Sequence, residues 1–123
     1  MATVTATKDN FEQLIADNDI VIFDFWASWC GPCVKFGPIF EAASEKHKDV
    51  VFAKVDTEDQ PELQAAFGIR GIPTLMVFRE KIALMQQAGM LPADVLDDVV
   101  AKVKELDMED VRKKVAEAEA KSA

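Results

Sequence analysis

The chain contains 123 residues, half of them hydrophobic, and carries a formal net charge of −8. This length predicts one domain with a single packed core, and the acidic balance argues against nucleic acid and anionic membranes as partners, because both require clustered Lys and Arg. The first residues lack the basic and apolar stretches of a secretory signal, and no apolar run reaches membrane-spanning length, so we expect a cytoplasmic location.

Apolar runs alternate with helical patterns along the chain, which is typical of an α/β arrangement around a buried sheet. Val4 is predicted to lie in a short edge strand, and a first helix is expected around residues 11–15, capped by Thr7 or Asp9. Residues 20–26 are apolar on both faces, which predicts a central strand covered on both sides.

A second helix is predicted from the cysteine pair to about residue 46, with a kink where Pro38 removes a backbone donor. Residues 50–55 are expected to form another buried strand. A short helix over residues 60–67 follows, with a proline near its start.

Two further strands, residues 74–78 and 82–87, form a predicted hairpin joined through residues 79–81, and Gly89 ends the pattern. A last helix is expected from Pro92. Its predicted apolar stripe consists of Val95, Val99, Val103 and Leu106.

The end of the chain differs in composition from the rest. Residues 107–123 are rich in Ala, Glu and Lys, and Val111 and Val115 are the apolar contacts expected there. We therefore predict one domain over residues 1–106 and a charged C-terminal helical extension or tail over residues 107–123. An exposed or frayed terminus is favoured there over a partner-binding helix.

The run Trp29-Cys30-Gly31-Pro32-Cys33 places two thiols at a strand-to-helix junction. Two cysteines at this spacing close a small disulfide ring with little rearrangement, and the pair can cycle between its oxidised and reduced forms. The unpaired N–H groups and the dipole at a helix start favour a thiolate at the first cysteine. Proline suits that first turn. The motif therefore predicts dithiol–disulfide redox chemistry.

Three other interpretations of the cysteine pair have less support. A zinc site needs about four ligands, and the chain offers only His47 besides the two thiols. Haem attachment requires His directly after the second cysteine, where Val34 stands. A structural disulfide across so short a loop removes little entropy from the unfolded chain. We expect no metal, and the redox interpretation is preferred.

Asp24 stands in the middle of an apolar strand. Loss of hydration there raises the pKa of a carboxyl group and lets it exchange protons near neutrality, which suits a general base for Cys33. The alternative is a buried Asp that is neutralised by a cation, and Lys54 on the next predicted strand is the candidate.

Residues 23–33, Lys54, residues 70–74 and Gly89 match the landmarks of the thioredoxin family in order and spacing, and the chain resembles that family over approximately residues 3–106. The resemblance implies the thioredoxin fold, an α/β fold in which a central mixed β-sheet is flanked by helices on both faces. It implies a catalytic set of Cys30, Cys33, Asp24 and Lys54. It also implies a docking surface with a cis proline, made of Trp29, Gly31, Pro32, Ile72, Pro73, Ala88 and Gly89.

The activity that the resemblance implies is protein-disulfide reduction. Cys30, the exposed thiol, attacks a substrate disulfide, and the buried Cys33 displaces the reduced substrate. No bound cofactor is expected beyond the redox-active Cys30–Cys33 disulfide. The implied partners are disulfide-containing proteins and a flavin-dependent thioredoxin reductase with NADPH, and we expect a monomer. The chain departs from the family at Val34, where a basic residue is frequent, and at residues 79–81, which replace an Asn-Gly-like turn.

Three other functions stay open from the sequence. One is a narrower redox role, as a dedicated electron donor or a thiol oxidase. Another is a non-catalytic binding module that uses the apolar surface around Trp29. The last is an iron–sulfur cluster shared between two chains through their cysteines.

Overall fold

The fold is built from five strands and five helices, and the computed structural model describes residues 2–122. In chain order the elements are β1 (Val4–Thr5), α1 (Phe11–Asp17), β2 (Ile20–Trp26), α2 (Gly31–Lys46), β3 (Val51–Asp56), α3 (Pro61–Ala66), β4 (Thr74–Arg79), β5 (Ile82–Ala88), α4 (Ala93–Glu105) and α5 (Met108–Ser122).

The strands form one mixed sheet in the order β1-β3-β2-β4-β5. The strands β1, β3 and β2 are parallel, whereas β4 and β5 are antiparallel to their neighbours. The central strand β2 pairs on both sides, which is why nearly all of it is buried, as the continuous apolar run predicts. The predicted mixed sheet flanked by helices is confirmed.

Two apolar layers cover the two faces of the sheet. Alternate side chains of β2 point to opposite faces, so Ile22 packs with α2 and α4 while Phe23 packs with α1 and α3. Phe40 of α2 contributes to the first layer, and Phe11 of α1 stacks on Phe23 in the second. Because β2 and β3 are parallel, their carboxyl ends meet at one edge of the sheet, and α2 begins at that edge.

The predicted cap of α1 is wrong. The N-cap residue is Asn10, and its side chain makes no capping hydrogen bond. Its Oδ1 instead accepts a hydrogen bond from the backbone N–H of Thr7 at 2.7 Å, and the Thr7 hydroxyl accepts from the N–H of Asp9 at 3.2 Å. These residues use their side chains to hold the turn before the helix, which leaves none to cap it.

The predicted stripe of α4 is also wrong in part. Val103 is buried as expected, but Val95 and Leu106 are exposed, and the side chains that bury the helix against the sheet are Leu96 and Val100. The sequence of α4 has apolar residues on more than one helical face, and contact with α2 selects which of them point inward.

The hairpin between β4 and β5 has a two-residue turn, because Arg79 pairs with Ile82. Glu80 and Lys81 both have positive φ, 50° and 70°. A two-residue hairpin turn of this kind requires positive φ at both positions so that the strands keep their twist. Since neither residue is Gly or Asn, the turn holds two side chains in a strained conformation.

Residues 108–122 form the helix α5, which does not continue α4. Leu106 is extended, with ψ 137°, and Asp107 then caps a new helix by accepting the N–H groups of Glu109 and Asp110. Met108 is buried, and Arg112 forms an ion pair with Glu80 of the hairpin turn. The first turns of α5 therefore contact the rest of the protein, whereas residues 116–122 are exposed all round.

Candidate active site

The two cysteines lie at the start of α2, next to the carboxyl end of β2. Cys30 is the N-cap residue, with extended backbone, and Pro32 occupies the first turn. Cys30 and Cys33 form a disulfide, with their Cα atoms 5.2 Å apart. The backbone N–H of Cys33 donates a hydrogen bond to Sγ of Cys30 at 3.2 Å. The helix start thus directs a donor and its positive dipole end at the first sulfur, which favours a thiolate there after reduction.

The expected exposure of Cys30 is wrong for this oxidised state. Only 6% of Cys30 is exposed, against 2% of Cys33. The disulfide packs in a small cluster with Ala27, and Trp26 and Ile72 lie against it. Both cysteines of the disulfide are buried in this one cluster, so the difference in their exposure is smaller than the sequence suggested.

A second loop faces the disulfide. The peptide bond between Ile72 and Pro73 is cis, as the resemblance implied. The carbonyl oxygen of Ile72 lies 3.6 Å from Sγ of Cys30, and the carbonyl of Pro73 accepts the N–H of Gly89 at 2.8 Å. The first contact places Ile72 against the sulfur of Cys30, and the second joins Gly89 to the same loop.

The predicted docking residues surround the disulfide at this edge of the sheet. Gly31 and Pro32 directly follow Cys30 and are exposed, and Ala88 is exposed opposite Thr74 of β4. Ile72 is half-buried and Gly89 is exposed. The structure therefore brings this part of the predicted set together beside the reactive pair.

Trp29 is the largest exposed side chain of this surface, with 69% of its area accessible. Its indole N–H donates a hydrogen bond to the carboxylate of Glu58. This contact gives the ring a fixed polar partner while its face stays open to solvent, as suits a contact residue that is apolar on one side and polar on the other.

Asp24 is fully buried on the sheet face that α2 covers. Its two carboxylate oxygens have no hydrogen-bond partner among residues 2–122. Burial raises the pKa of Asp24 to about 7, and the positive charge of Lys54 opposes that rise without cancelling it. The carboxyl group therefore titrates near neutral pH, as its position in the strand predicts.

Lys54 is the register partner of Asp24 on the neighbouring strand β3. Its amine lies 4.6 Å from the centroid of the Trp26 ring, over the ring face, and the residue is half-buried. No ion pair with Asp24 forms within the part of the chain that the structure describes. The structure therefore does not support the interpretation in which a directly paired cation neutralises Asp24.

A groove of about 350 Å³ lies against Trp29 and Ile72, two neighbours of the disulfide. Seven residues line it, namely Trp29, Thr57, Glu58, Pro61, Gln64, Arg70 and Ile72. Sequence reasoning did not place Glu58 or Arg70 in the site. Glu58 stands two residues beyond β3, whose carboxyl end lies next to that of β2, so the sheet order was the signal that would have found it.

Residues 2–122 contain neither a metal-binding cluster nor a helix that could cross a membrane. Among these residues, no group of three or more His, Cys, Asp and Glu side chains has an arrangement that could hold a metal ion. In the same part of the chain, no helix is both long enough and apolar enough to cross a membrane.

Comparison with known proteins agrees with this geometry. The family model described as Thioredoxin matches residues 2–102. This chain belongs to the thioredoxin family. A protein named Putative thioredoxin 2 from Streptomyces coelicolor is 54% identical over 121 residues, which cover 98% of this chain and 90% of that protein. A thioredoxin from Alicyclobacillus acidocaldarius is 41% identical over 103 residues, 83% of this chain and 98% of its own length.

Solved structures of thioredoxins have the same fold. A mutant thioredoxin from Halobacterium salinarum superimposes with a TM-score of 0.79 at 32% identity, over 85% of this chain and 92% of that one. A thioredoxin from Plasmodium falciparum reaches 0.75 at 30% identity, over 81% and 98%. Membership in the thioredoxin family, together with the Cys30–Cys33 disulfide, makes this protein a thiol-disulfide oxidoreductase and protein-disulfide reductase. Its redox group is the disulfide itself.

Proposed function

We propose that this protein reduces disulfides in other proteins with Cys30 as the attacking and Cys33 as the resolving cysteine. Support comes from one contact above all, the hydrogen bond from the Cys33 N–H to Sγ of Cys30 at the start of α2. It stabilises negative charge on one sulfur only. The thiolate is the nucleophile in disulfide exchange, so the sulfur that holds the charge attacks first.

The reaction proceeds in two exchanges. The Cys30 thiolate attacks one sulfur of the substrate disulfide, a mixed disulfide forms, and the other substrate sulfur leaves as a thiolate that takes a proton. The Cys33 thiolate then attacks Sγ of Cys30 and releases the second substrate sulfur, which is protonated in turn. Two electrons pass to the substrate, and the Cys30–Cys33 disulfide is formed.

Asp24 is proposed to accept the proton that Cys33 loses before the second exchange. Its carboxyl group has a pKa near 7, so it is partly ionised at neutral pH, and its oxygens have no hydrogen-bond partner among the described residues. We assign Lys54 a tuning role, because its charge favours the ionised form of Asp24. With a pKa near 7, Asp24 can both accept and release a proton at neutral pH.

Substrate docking is assigned to the surface around the disulfide. Trp29, Gly31 and Pro32 offer an open, largely apolar face. Ile72, whose backbone carbonyl lies 3.6 Å from Sγ of Cys30, and Pro73 form the facing loop. An extended substrate segment lying between them would place its disulfide on Cys30. Ala88 and Gly89 continue this surface at the end of β5.

For recycling, we propose a flavin-dependent thioredoxin reductase that passes electrons from NADPH to the Cys30–Cys33 disulfide. A cytoplasmic location suits a reductase, because that compartment keeps thiols reduced. We also propose a monomer that binds neither nucleic acid nor membranes, with the thioredoxin domain over residues 1–106 and an extension over residues 107–123. The extension contacts the turn of the β4–β5 hairpin, which supports an accessory role for it.

Insulin reduction tests the proposal, first with dithiothreitol as the electron source and then with NADPH and a bacterial thioredoxin reductase. We expect rapid turnover that Cys30→Ser abolishes, and a Cys30–Cys33 potential more reducing than that of glutathione. Ala116→Ser, on the exposed end of α5, introduces the same hydroxyl away from the site and should leave the rate unchanged. An inert pair, or one that oxidises reduced peptides, would contradict the reductase assignment.

A further inference from the structure

Arg70 is the one arginine in the described chain without a partner. The guanidinium of Arg79 donates to backbone carbonyls of Val103 and Leu106, and Arg112 pairs with Glu80. Arg70 is exposed and makes no hydrogen bond or ion pair within residues 2–122. It therefore presents a free cation with a planar fork of donors.

Arg70 lines a groove that adjoins the surroundings of the reacting Cys30 sulfur. Arg70 lines the groove of about 350 Å³ together with Trp29 and Ile72. The carbonyl oxygen of Ile72 lies 3.6 Å from Sγ of Cys30. Ile72 therefore belongs both to the groove and to the surroundings of the reacting sulfur, and a polypeptide whose disulfide reaches Cys30 would place a neighbouring residue near this groove.

The charges around the groove favour one kind of occupant. Glu58 is the other charged residue that lines it, and its carboxylate accepts the indole N–H of Trp29. Arg70 has no such internal partner. Since the chain carries a net charge of −8, its overall field attracts cations, so a free arginine beside the site is a local exception. A guanidinium fork matches a carboxylate in a bidentate geometry.

We propose that Arg70 is a specificity-determining residue that binds a carboxylate next to the attacked cysteine of the substrate. The preferred substrates are then protein disulfides with an Asp or Glu side chain beside the reactive cysteine. This inference rests on the proposed reductase function, and it adds a substrate class to that function. Arg70 takes no part in electron or proton transfer.

The test uses three synthetic peptide disulfides of equal length that differ only in the residues flanking the cysteine, which are Asp, Asn or Lys. The kcat/KM of each is measured at low ionic strength with dithiothreitol as the electron source. The quantity of interest is the ratio of kcat/KM for the Asp peptide to that for the Lys peptide. The net charge of the protein affects this ratio almost equally in all variants, so the effect of Arg70 appears as a change between them.

Arg70→Gln is expected to lower this ratio by at least about threefold, as for the loss of one partly exposed ion pair. Arg70→Glu should lower it further, and Arg70→Lys should retain part of it because the charge stays while the fork is lost. Lys121→Gln removes the same charge at the exposed end of α5 and should leave the ratio unchanged. Added salt should reduce the difference between the unchanged chain and Arg70→Gln.

The outcomes separate the two proposals. If the unchanged chain reduces the Asn peptide, and Arg70→Gln moves the ratio no more than Lys121→Gln does, the role of Arg70 is refuted while the reductase function stands. If the unchanged chain reduces none of the three peptides, the proposed function fails, and the role of Arg70 fails with it. Circular dichroism of each variant establishes that it is folded before the rates are compared.

Discussion

The backbone N–H of Cys33 donates to Sγ of Cys30 at 3.2 Å, so each cysteine has a different surrounding although they lie in one turn of one helix. Both cysteines are buried in one small cluster, but only Cys30 receives this donor, at the N-terminus of α2. This difference supports the different roles proposed for the two thiols of one short motif. Substitution of the cysteines and of other residues tests what each contributes to activity and stability.

The ionisation of Asp24 should make the protein less stable as pH rises. Below about pH 4 the carboxyl group is protonated in both the folded and the unfolded state. Between about pH 4 and pH 7 only the unfolded state loses the proton, because burial raises the folded pKa from 3.8 to about 7. The contribution of Asp24 to the free energy of unfolding should therefore fall through this range by about 4 kcal/mol, at 1.36 kcal/mol for each pKa unit.

Urea denaturation of the oxidised chain and of Asp24→Asn at several pH values measures this effect. The difference in free energy of unfolding between them should change with pH, because Asn does not titrate. Carboxylates whose folded pKa is lowered, such as Asp97 beside Lys46 and His47, contribute equally to both proteins and cancel. A difference that stays constant from pH 4 to pH 8 would contradict the raised pKa.

Arg79 should stabilise the protein more than an ordinary residue of a hairpin does. Its Nη1 atom donates to the carbonyls of Val103, Lys104 and Leu106 at 2.8, 3.3 and 3.0 Å, at the negative end of the α4 dipole. Arg79→Met should lower the free energy of unfolding by about 2 kcal/mol, the usual size for a charged hydrogen-bonding group. Thermal and urea denaturation measure it.

Lys113→Met is the matched control for Arg79, because Lys113 is an exposed cation on α5. It should change stability by no more than about 0.5 kcal/mol. Insulin reduction at low temperature should be the same for both variants, since neither residue contacts the disulfide. Equal stability of Arg79→Met and the unchanged chain would show that the carbonyls at the end of α4 are satisfied without the arginine.

Lys81→Gly should stabilise the protein. Lys81 has φ 70°, a conformation that glycine adopts without the strain that a side chain imposes. We expect a gain of about 0.5 to 1 kcal/mol in the free energy of unfolding after the added entropy of the unfolded chain is subtracted. Lys81→Ala removes the lysine but keeps the strain, so it should give no such gain. A loss of stability in Lys81→Gly would mean that the turn is not strained.

Removal of residues 107–123 should lower stability and leave the redox reaction intact. The extension buries Met108 and pairs Arg112 with Glu80, at the turn that lies beside the start of β2. The disulfide lies at the other end of β2. Insulin reduction should be unchanged, while the free energy of unfolding falls by about 2 kcal/mol, the lower range for truncation of a buried methionine.

Met108→Ala in the full chain is the comparison for this truncation. It should reproduce most of the loss of stability, because Met108 is the one fully buried residue among those described in α5. If the shortened chain instead lost its reductase activity while remaining folded, the extension would belong to the site, and the proposed division at residue 106 would be wrong.

The fold and the centre of the site were predictable from local signals. The strand over Ile20–Trp26 is apolar on both faces because both faces are covered, and the cysteine motif fixes its own place at a helix start. The raised pKa of Asp24 followed from one carboxylate in an apolar strand. Each of these properties depends on residues that are close together in the chain, so the sequence displays them directly.

What escaped prediction depends on contacts between distant segments. The inward face of α4 is selected by packing against α2, and an exposed Val95 cannot be distinguished from a buried Leu96 by periodicity alone. Glu58 enters the site through its hydrogen bond to Trp29, 29 residues earlier. Arg79 of β4 donates to the carbonyl of Val103 near the end of α4, 24 residues later. The sequence near each residue does not predict such contacts.

The measurement that tests the central claim most directly is the trapping of a mixed disulfide with a substrate peptide. With Cys33→Ser, the reduced protein should attack the peptide disulfide through Cys30 and stop at a stable covalent complex, visible by mass spectrometry and released by dithiothreitol. Cys30→Ser should form little or none under the same conditions. A complex that accumulates with Cys30→Ser and not with Cys33→Ser would contradict the assignment of Cys30 as the attacking sulfur.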